Sequence, residues 1–182
     1  MNLETLANQG QATVYDSLAA SIGPKICDLR KQFIKESFSG FHMVEHRLEM
    51  VAIIHGMEFI NDSKSSNINA TWFALENNQR PVIWIVGGVD IGNNYSIVYP
   101  HVRSRVKGII CLGLDNSRIH DAFKDLGIPI TDTLTMDDAV QAAYDMGSRG
   151  DVILLSPACA SFDLFENYEE RGKAFRKAVK NL

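Results

Sequence analysis

Apolar residues recur along this chain at two kinds of spacing, and the switches between them mark out its elements. Val14, Leu18, Ile22, Ile26, Leu29 and Phe33 follow one another at three or four, which sets them on one helical face. Gly23 and Pro24 interrupt that face, so two helices are expected, the second opening at Pro24. Ser39 to Met43 reads as a linker. From Arg47 onward the pattern changes to strands alternating with helices. Leu48 to Ile54 and Met57 to Ile60 are expected strands about a turn at His55 and Gly56. Ile68, Thr71, Trp72 and Leu75 mark a helix, with Ser66 or Asn67 as its N-cap. Pro81 to Val86 is a continuous apolar run, the pattern of a strand buried on both faces, and it ends in Gly87 and Gly88.

Further along, the spacing predicts a short helix near 96–105 and a strand at Gly108 to Leu112. A helix carrying Ile119, Phe123 and Leu126 and a short strand at Ile128 to Ile130 follow. Thr135, with Asp138 three residues on, resembles a capping box that opens a helix with Val140, Ala143 and Tyr144 inward. Val152 to Leu155 is the last strong strand. Phe165, Tyr168, Gly172, Phe175 and Val179 line a closing helix, acidic at its start (Glu166, Glu169, Glu170) and basic at its end (Arg176, Lys177, Lys180). Alternating units of this kind predict an α/β fold, a Rossmann-like, mostly parallel sheet with helices on both faces. Ligands on such sheets sit beyond the carboxyl ends of the strands, where strand order reverses.

Composition narrows the partners. With 182 residues, 46% hydrophobic and 22% charged, the chain can bury one sizeable core. Its net charge of −4 and lack of a basic block argue against nucleic acid. Cys27, Cys111 and Cys159 are odd in number and far apart, which fits a reducing compartment better than a disulfide scaffold. No apolar run reaches membrane-spanning length and the start has no signal-peptide pattern. A cytoplasmic protein without a membrane partner is the expectation.

Three polar loops fall at carboxyl ends of strands: Asn61 to Asn67, Gly87 to Asn94, and Ser156 to Ser161. The first joins a strand to a helix, so unpaired N–H groups and the positive end of a helix dipole meet Asp62, Lys64, Ser65 and Ser66 there. The second lacks both the dinucleotide fingerprint and the Walker element, which argues against a nucleotide-dependent oxidoreductase and favours a plain glycine turn. Small residues in the third let a ligand approach the backbone, while Cys159 reads as a small buried cysteine rather than a nucleophile. Arg47, at a candidate domain junction, suits either a phosphate or an interdomain carboxylate. His42, His55, His101 and His120 have no metal-ligand spacing, so they read as surface or structural residues and no metal site is expected. Trp72 and Trp84 fall on core positions.

Taken together, Glu45 to Glu49, Ile60 to Asn67, Leu154 to Asp163 and Asn167 to Gly172 resemble the Mur ligases, and among them the branch that adds D-glutamate. The resemblance covers nearly the whole chain, and the run Ser156-Pro157-Ala158-Cys159-Ala160-Ser161 is its most specific part. It implies a three-domain ATP-dependent enzyme of peptidoglycan precursor synthesis. That enzyme joins D-glutamate to UDP-N-acetylmuramoyl-L-alanine through an acyl phosphate, with ATP and Mg²⁺ as cofactors, and is expected to be a monomer. Residues 1–43 would then be the closing helices of the central ATPase domain, and 44–182 the C-terminal amino-acid-binding domain. Such a fragment would be inactive alone.

Carried over by position, Arg47 would touch the ATP phosphates and Asp62 the ribose. Lys64, Ser66, Ser161, Phe162 and Tyr168 would surround D-glutamate. Two departures stand out. Gly10 to Asp16 differs from the family's asparagine-containing adenine motif, and Ile91 stands where the glycine-rich loop normally offers a lysine to D-glutamate. Losing one charge-assisted contact costs roughly 1.5–3 kcal/mol, about tenfold to a hundredfold in binding. These departures keep open an alternative, a non-catalytic ligand-binding module that retains the fold.

Overall fold

His55 and Gly56 both take positive φ, 50° and 81°. They form the two-residue turn that reverses Glu49–Ile54 (β1) into Met57–Asn61 (β2) as an antiparallel hairpin. The computed structural model describes residues 45–182. The helices and linker read from 14–43, and the altered segment at 10–16, lie outside the described residues.

The strands that follow the hairpin all pair in parallel. The strands Val82–Gly87 (β3), Val106–Leu112 (β4), Ile130–Thr133 (β5) and Val152–Ala158 (β6) complete a six-stranded sheet of order β1-β2-β6-β3-β4-β5. Among the described residues five α-helices flank it: Ile68–Glu76 (α1), Tyr99–Arg105 (α2), Ser117–Phe123 (α3), Met136–Met146 (α4) and Tyr168–Lys180 (α5). Successive side chains of a strand point to opposite faces, and here both faces are covered. Val82, Trp84 and Val86 join Leu75 of α1, Val102 of α2 and Phe123 of α3 in one apolar cluster. Ile83 and Ile85 join Val140 of α4 with Phe175 and Val179 of α5 in the other. That division explains why β3 reads as an unbroken apolar run. The Trp84 indole still finds a partner, donating to Ser156 O at 2.8 Å.

Capping follows the sequence. Asn67 accepts from Ala70 N at 3.0 Å, Thr135 from Asp138 N at 3.1 Å and Asn167 from Glu170 N at 2.8 Å. Phe165 precedes the closing helix rather than lying on it.

β4 begins at Val106, two residues before the expected Gly108, and two further strands depart more from the sequence expectation. β5 occupies Ile130–Thr133 instead of 128–130, because Pro129 has no N–H to give and contributes only its carbonyl, which accepts from Ile109 N at 2.9 Å. β6 continues three residues past Leu155, through Pro157. There Ser156 and Pro157 together face the single Val86, a bulge that accommodates a residue without an N–H inside a central strand.

The connections leaving β2 and β3 run to the face of α1–α3, while the one leaving β6 runs to the face of α4 and α5. Strand order therefore reverses on both sides of β6, and a crevice opens at the carboxyl ends of β2, β6 and β3. Among the described residues no helix is long and apolar enough to cross a membrane.

Candidate functional site

The loop that follows β2 is laced to the end of β6 by backbone and side-chain bonds. Asp62 N donates to Leu155 O at 2.8 Å, and Ala158 N donates to Ser65 O at 2.9 Å. The Asp62 carboxylate accepts from Leu48 N at 3.2 Å and from the Ser156 hydroxyl at 2.8 Å. Only 1% of Asp62 is exposed. Burial lifts its pKa to about 6, more than the hydrogen bonds from Ser65 and Ser156 pull it down.

A third segment is locked to these two by Arg171 of α5, a residue 2% exposed. Its Nε donates to Ser63 Oγ at 3.1 Å, Nη2 to Ser63 O at 2.9 Å and Nη1 to Cys159 O at 3.0 Å. Burial draws the guanidinium pKa down to about 10, so the side chain is still a cation at neutral pH. Ser63 Oγ in turn donates to Tyr168 O at 2.7 Å. The segments bearing the expected site residues are thereby held side by side. Lys64 and Ser66 are exposed on the crest of the first loop. Ser161 is buried in the second, followed by Phe162, which is 74% exposed, and Tyr168 is half-buried at the first turn of α5.

Arg47 lines a cleft together with Asp62 and Lys64 of the first loop. It lies between His46 and Leu48, both at positive φ (64° and 46°), and Ala158 in the third loop is also left-handed at 60°. Non-glycine residues held there each cost roughly 1 kcal/mol or more, and such strain gathers at ligand sites. A cleft of about 240 Å³ is lined by Arg47, Leu48, Asp62, Lys64, Ser65 and the α1 residues Ala70, Phe73 and Ala74. The Arg47 guanidinium on this cleft suits phosphate oxygens, so its lining fits a nucleotide's phosphates.

The glycine loop joins the same assembly. Gly88 has φ 124°, and a Cβ there would lie 2.2 Å from Ala160 O. Its absence lets Val89 N bond Ala160 O at 2.9 Å, while Asn93 Nδ2 reaches Ala158 O at 2.9 Å. Ile91 sits at the crest of this loop, 86% exposed. Cys159 is 1% exposed, and burial pushes its thiol up to about 11, which fits an unreactive core cysteine.

Residue-level reading missed the role of Arg171, whose place among Glu169, Glu170 and Lys173 reads as a solvated helix face. It missed His46 as well, which is 2% exposed and accepts at Nδ1 from Asn61 Nδ2 at 2.9 Å, above Gly172. The one available signal was Gly172, a glycine inside a helix pattern, which hints at close packing.

Known proteins share this sequence pattern and this fold. Residues 46–159 match the family described as Mur ligase, glutamate ligase domain. A UDP-N-acetylmuramoylalanine–D-glutamate ligase of Christiangramia forsetii is 50% identical over 182 residues, which is all of this chain and 41% of that protein. The ligase of the same name from Porphyromonas gingivalis is 47% identical and is covered to 40%. The chain thus spans about two fifths of the length of these relatives. Among solved structures, a pseudomurein peptide ligase type C from Methanothermus fervidus superposes with a TM-score of 0.66 at 18% identity, over 94% of this chain and 36% of that one. A UDP-N-acetylmuramate–alanine ligase from Thermotoga maritima gives 0.65 at 13%, over 94% and 38%. At those identities the likeness concerns the fold alone. The family match, covering more than half of the residues, is what decides the matter: this chain belongs to the Mur ligase family, as its glutamate ligase domain.

Proposed function

We propose that this chain is the amino-acid-binding part of an ATP-dependent ligase that adds D-glutamate to UDP-N-acetylmuramoyl-L-alanine in peptidoglycan precursor synthesis. The observation that carries the reading is the Arg171–Ser63 lock, which sets the Lys64 loop, the Ser161 loop and Tyr168 along one rim. Lys64, Ser66, Ser161, Phe162 and Tyr168 surround the D-glutamate, a dicarboxylate suited to a lysine, hydroxyls and a helix N-terminus. Arg47 faces the ATP phosphates across the cleft, and Asp62, buried in the wall of that cleft, is the residue assigned to the ribose. When bound, ATP with Mg²⁺ supplies the phosphoryl group that activates the acceptor carboxyl.

This part of the enzyme orients the amine of D-glutamate within near-attack distance of the activated carboxyl and helps exclude water once the domains close. Residues 1–43 belong to the preceding ATP-binding domain, and 44–182 are the domain that carries the amino acid. The remaining length of the relatives would hold the other parts, so the chain alone has no activity, and the whole enzyme acts as a cytoplasmic monomer. The test is phosphate release by the complete ligase given ATP, Mg²⁺ and UDP-N-acetylmuramoyl-L-alanine, with and without D-glutamate. Turnover that depends on D-glutamate supports the reading.

A second reading rests on Ile91, which puts an exposed apolar side chain where relatives of this branch offer a cation. It makes the domain a binding module without catalysis. Absence of D-glutamate-dependent turnover in the complete protein would favour it.

A further inference from the structure

At the far edge of the sheet, away from the rim site, the strand register assembles a different set of groups. Cys111 of β4 and Asp132 of β5 are partners across a parallel ladder, so their side chains leave the same face. Helix α3 lies over that face, packing Ile119 and Phe123 into the cluster that contains Cys111. One turn of the same helix carries His120, whose Nε2 stands 2.9 and 3.1 Å from the two carboxylate oxygens of Asp132. The Cys111 sulfur, a His120 ring nitrogen and an Asp132 oxygen all lie within 4.8 Å of one another.

The surroundings are arranged to hold that set. Asn116 Nδ2 donates to Asp132 Oδ1 at 2.9 Å and to Gly113 O at 3.2 Å, which fixes the carboxylate's orientation from outside. A cavity of about 580 Å³, bordered by Asn116, Ser117, His120 and Asp132, opens two members of the set to solvent. Cys111 is wholly buried, while the His120 and Asp132 side chains are 42% and 57% exposed. An exposed His–Asp pair by itself is common and weak. What distinguishes this one is the thiol beneath it, which completes a sulfur, nitrogen and oxygen donor set.

We propose that Cys111, His120 and Asp132 form a three-ligand site for a zinc-class divalent cation, with a fourth position open to the cavity. Thiolate and imidazole donors favour Zn²⁺ or Co²⁺ over the hard, oxygen-seeking Mg²⁺. Three protein ligands plus one open position is an arrangement zinc adopts. On binding, the metal–sulfur bond replaces the S–H bond, the thiol proton leaves to solvent and the ion sheds water ligands. The ion ties α3 to the β4–β5 edge, so it stabilises this end of the domain. None of this depends on the proposed ligase reaction.

The test is a Co²⁺ titration of the reduced, untagged 182-residue chain, followed by absorption. The expected result is a thiolate-to-cobalt charge-transfer band saturating at one equivalent, with a raised melting temperature. Zn²⁺ should displace the band and Mg²⁺ in excess should not. Cys111→Ser should abolish it, whereas Cys27→Ser and Cys159→Ser should keep it. Because Cys111 is a core residue, the exposed variants His120→Gln and Asp132→Asn provide a second arm, each weakening Co²⁺ binding at least about tenfold. No charge-transfer band in the wild type, or unchanged affinity in both exposed variants, overturns the site.

Discussion

Arg171 donates to both the hydroxyl and the carbonyl of Ser63, at 3.1 and 2.9 Å, across 108 residues of sequence. A guanidinium with 2% exposure is costly to desolvate, and the fold retains it where it pins the loop after β2 to the loop after β6. The same arginine reaches Cys159 O at 3.0 Å, so one side chain sets the separation of the two loops that would grip the ligand. Replacing it leaves the Ser63 and Cys159 carbonyls buried without donors. Arg171→Ala is expected to cost about 3 kcal/mol or more in urea denaturation, since each bond to a charged group is worth roughly 1.5–3 kcal/mol. Arg171→Lys keeps the charge but not the fork and should recover only part of that. A loss below about 1 kcal/mol for the alanine variant would show that the loops do not need the lock.

Gly88 gives an independent test of the rim's close packing. With φ at 124° and Ala160 O only 2.2 Å from where a Cβ would stand, there is no room for a side chain. Gly127 also has positive φ, 65°, but a Cβ there meets nothing within 4 Å. Gly127→Ala should therefore lose only the conformational part, about 1 kcal/mol. Gly88→Ala should lose that plus about 1–3 kcal/mol of overpacking and break the Val89–Ala160 bond. Thermal unfolding of the two variants compares them, and equal losses would contradict the geometry.

Asp62 makes stability depend on pH in a definite direction. Its pKa is raised by burial from 3.8 to about 6. The folded state therefore holds this proton more tightly than the unfolded chain does. The stabilisation is fully present below about pH 4 and is lost as pH rises through about 6. Across that window the lost stability amounts to about 3 kcal/mol. Asp62→Asn cannot ionise, so its stability relative to wild type should climb by about that amount between pH 4 and 7. A difference curve that is flat or falls with pH, measured by urea denaturation at each pH, would refute the assignment.

How far the sequence reveals this molecule depends on the range of the interaction involved. Local signals were sound: the turn at His55 and Gly56, the Thr135 cap, the apolar run of β3 and the polar loops after β2 and β3 all rest on spacing within a few residues. β5 was misplaced because an edge strand reading Thr131-Asp132-Thr133 lacks an apolar alternation. The end of β6 was hidden because Ser156 and Pro157 look like a loop until the bulge opposite Val86 is seen. The burial of Arg171 and the meeting of Cys111, His120 and Asp132 depend on register between strands and helices far apart in sequence. No local spacing encodes them.

In the proposed function the loops after β2 and β6 hold the amino-acid substrate, while Arg47 serves the nucleotide. Steady-state kinetics of Lys64→Ala, Ser161→Ala and Arg47→Ala in the complete ligase test it most directly. Lys64→Ala and Ser161→Ala should each raise the KM for D-glutamate roughly tenfold to a hundredfold with the KM for ATP little changed, and Arg47→Ala should reverse that pattern. An unaltered KM for D-glutamate in both loop variants would contradict it.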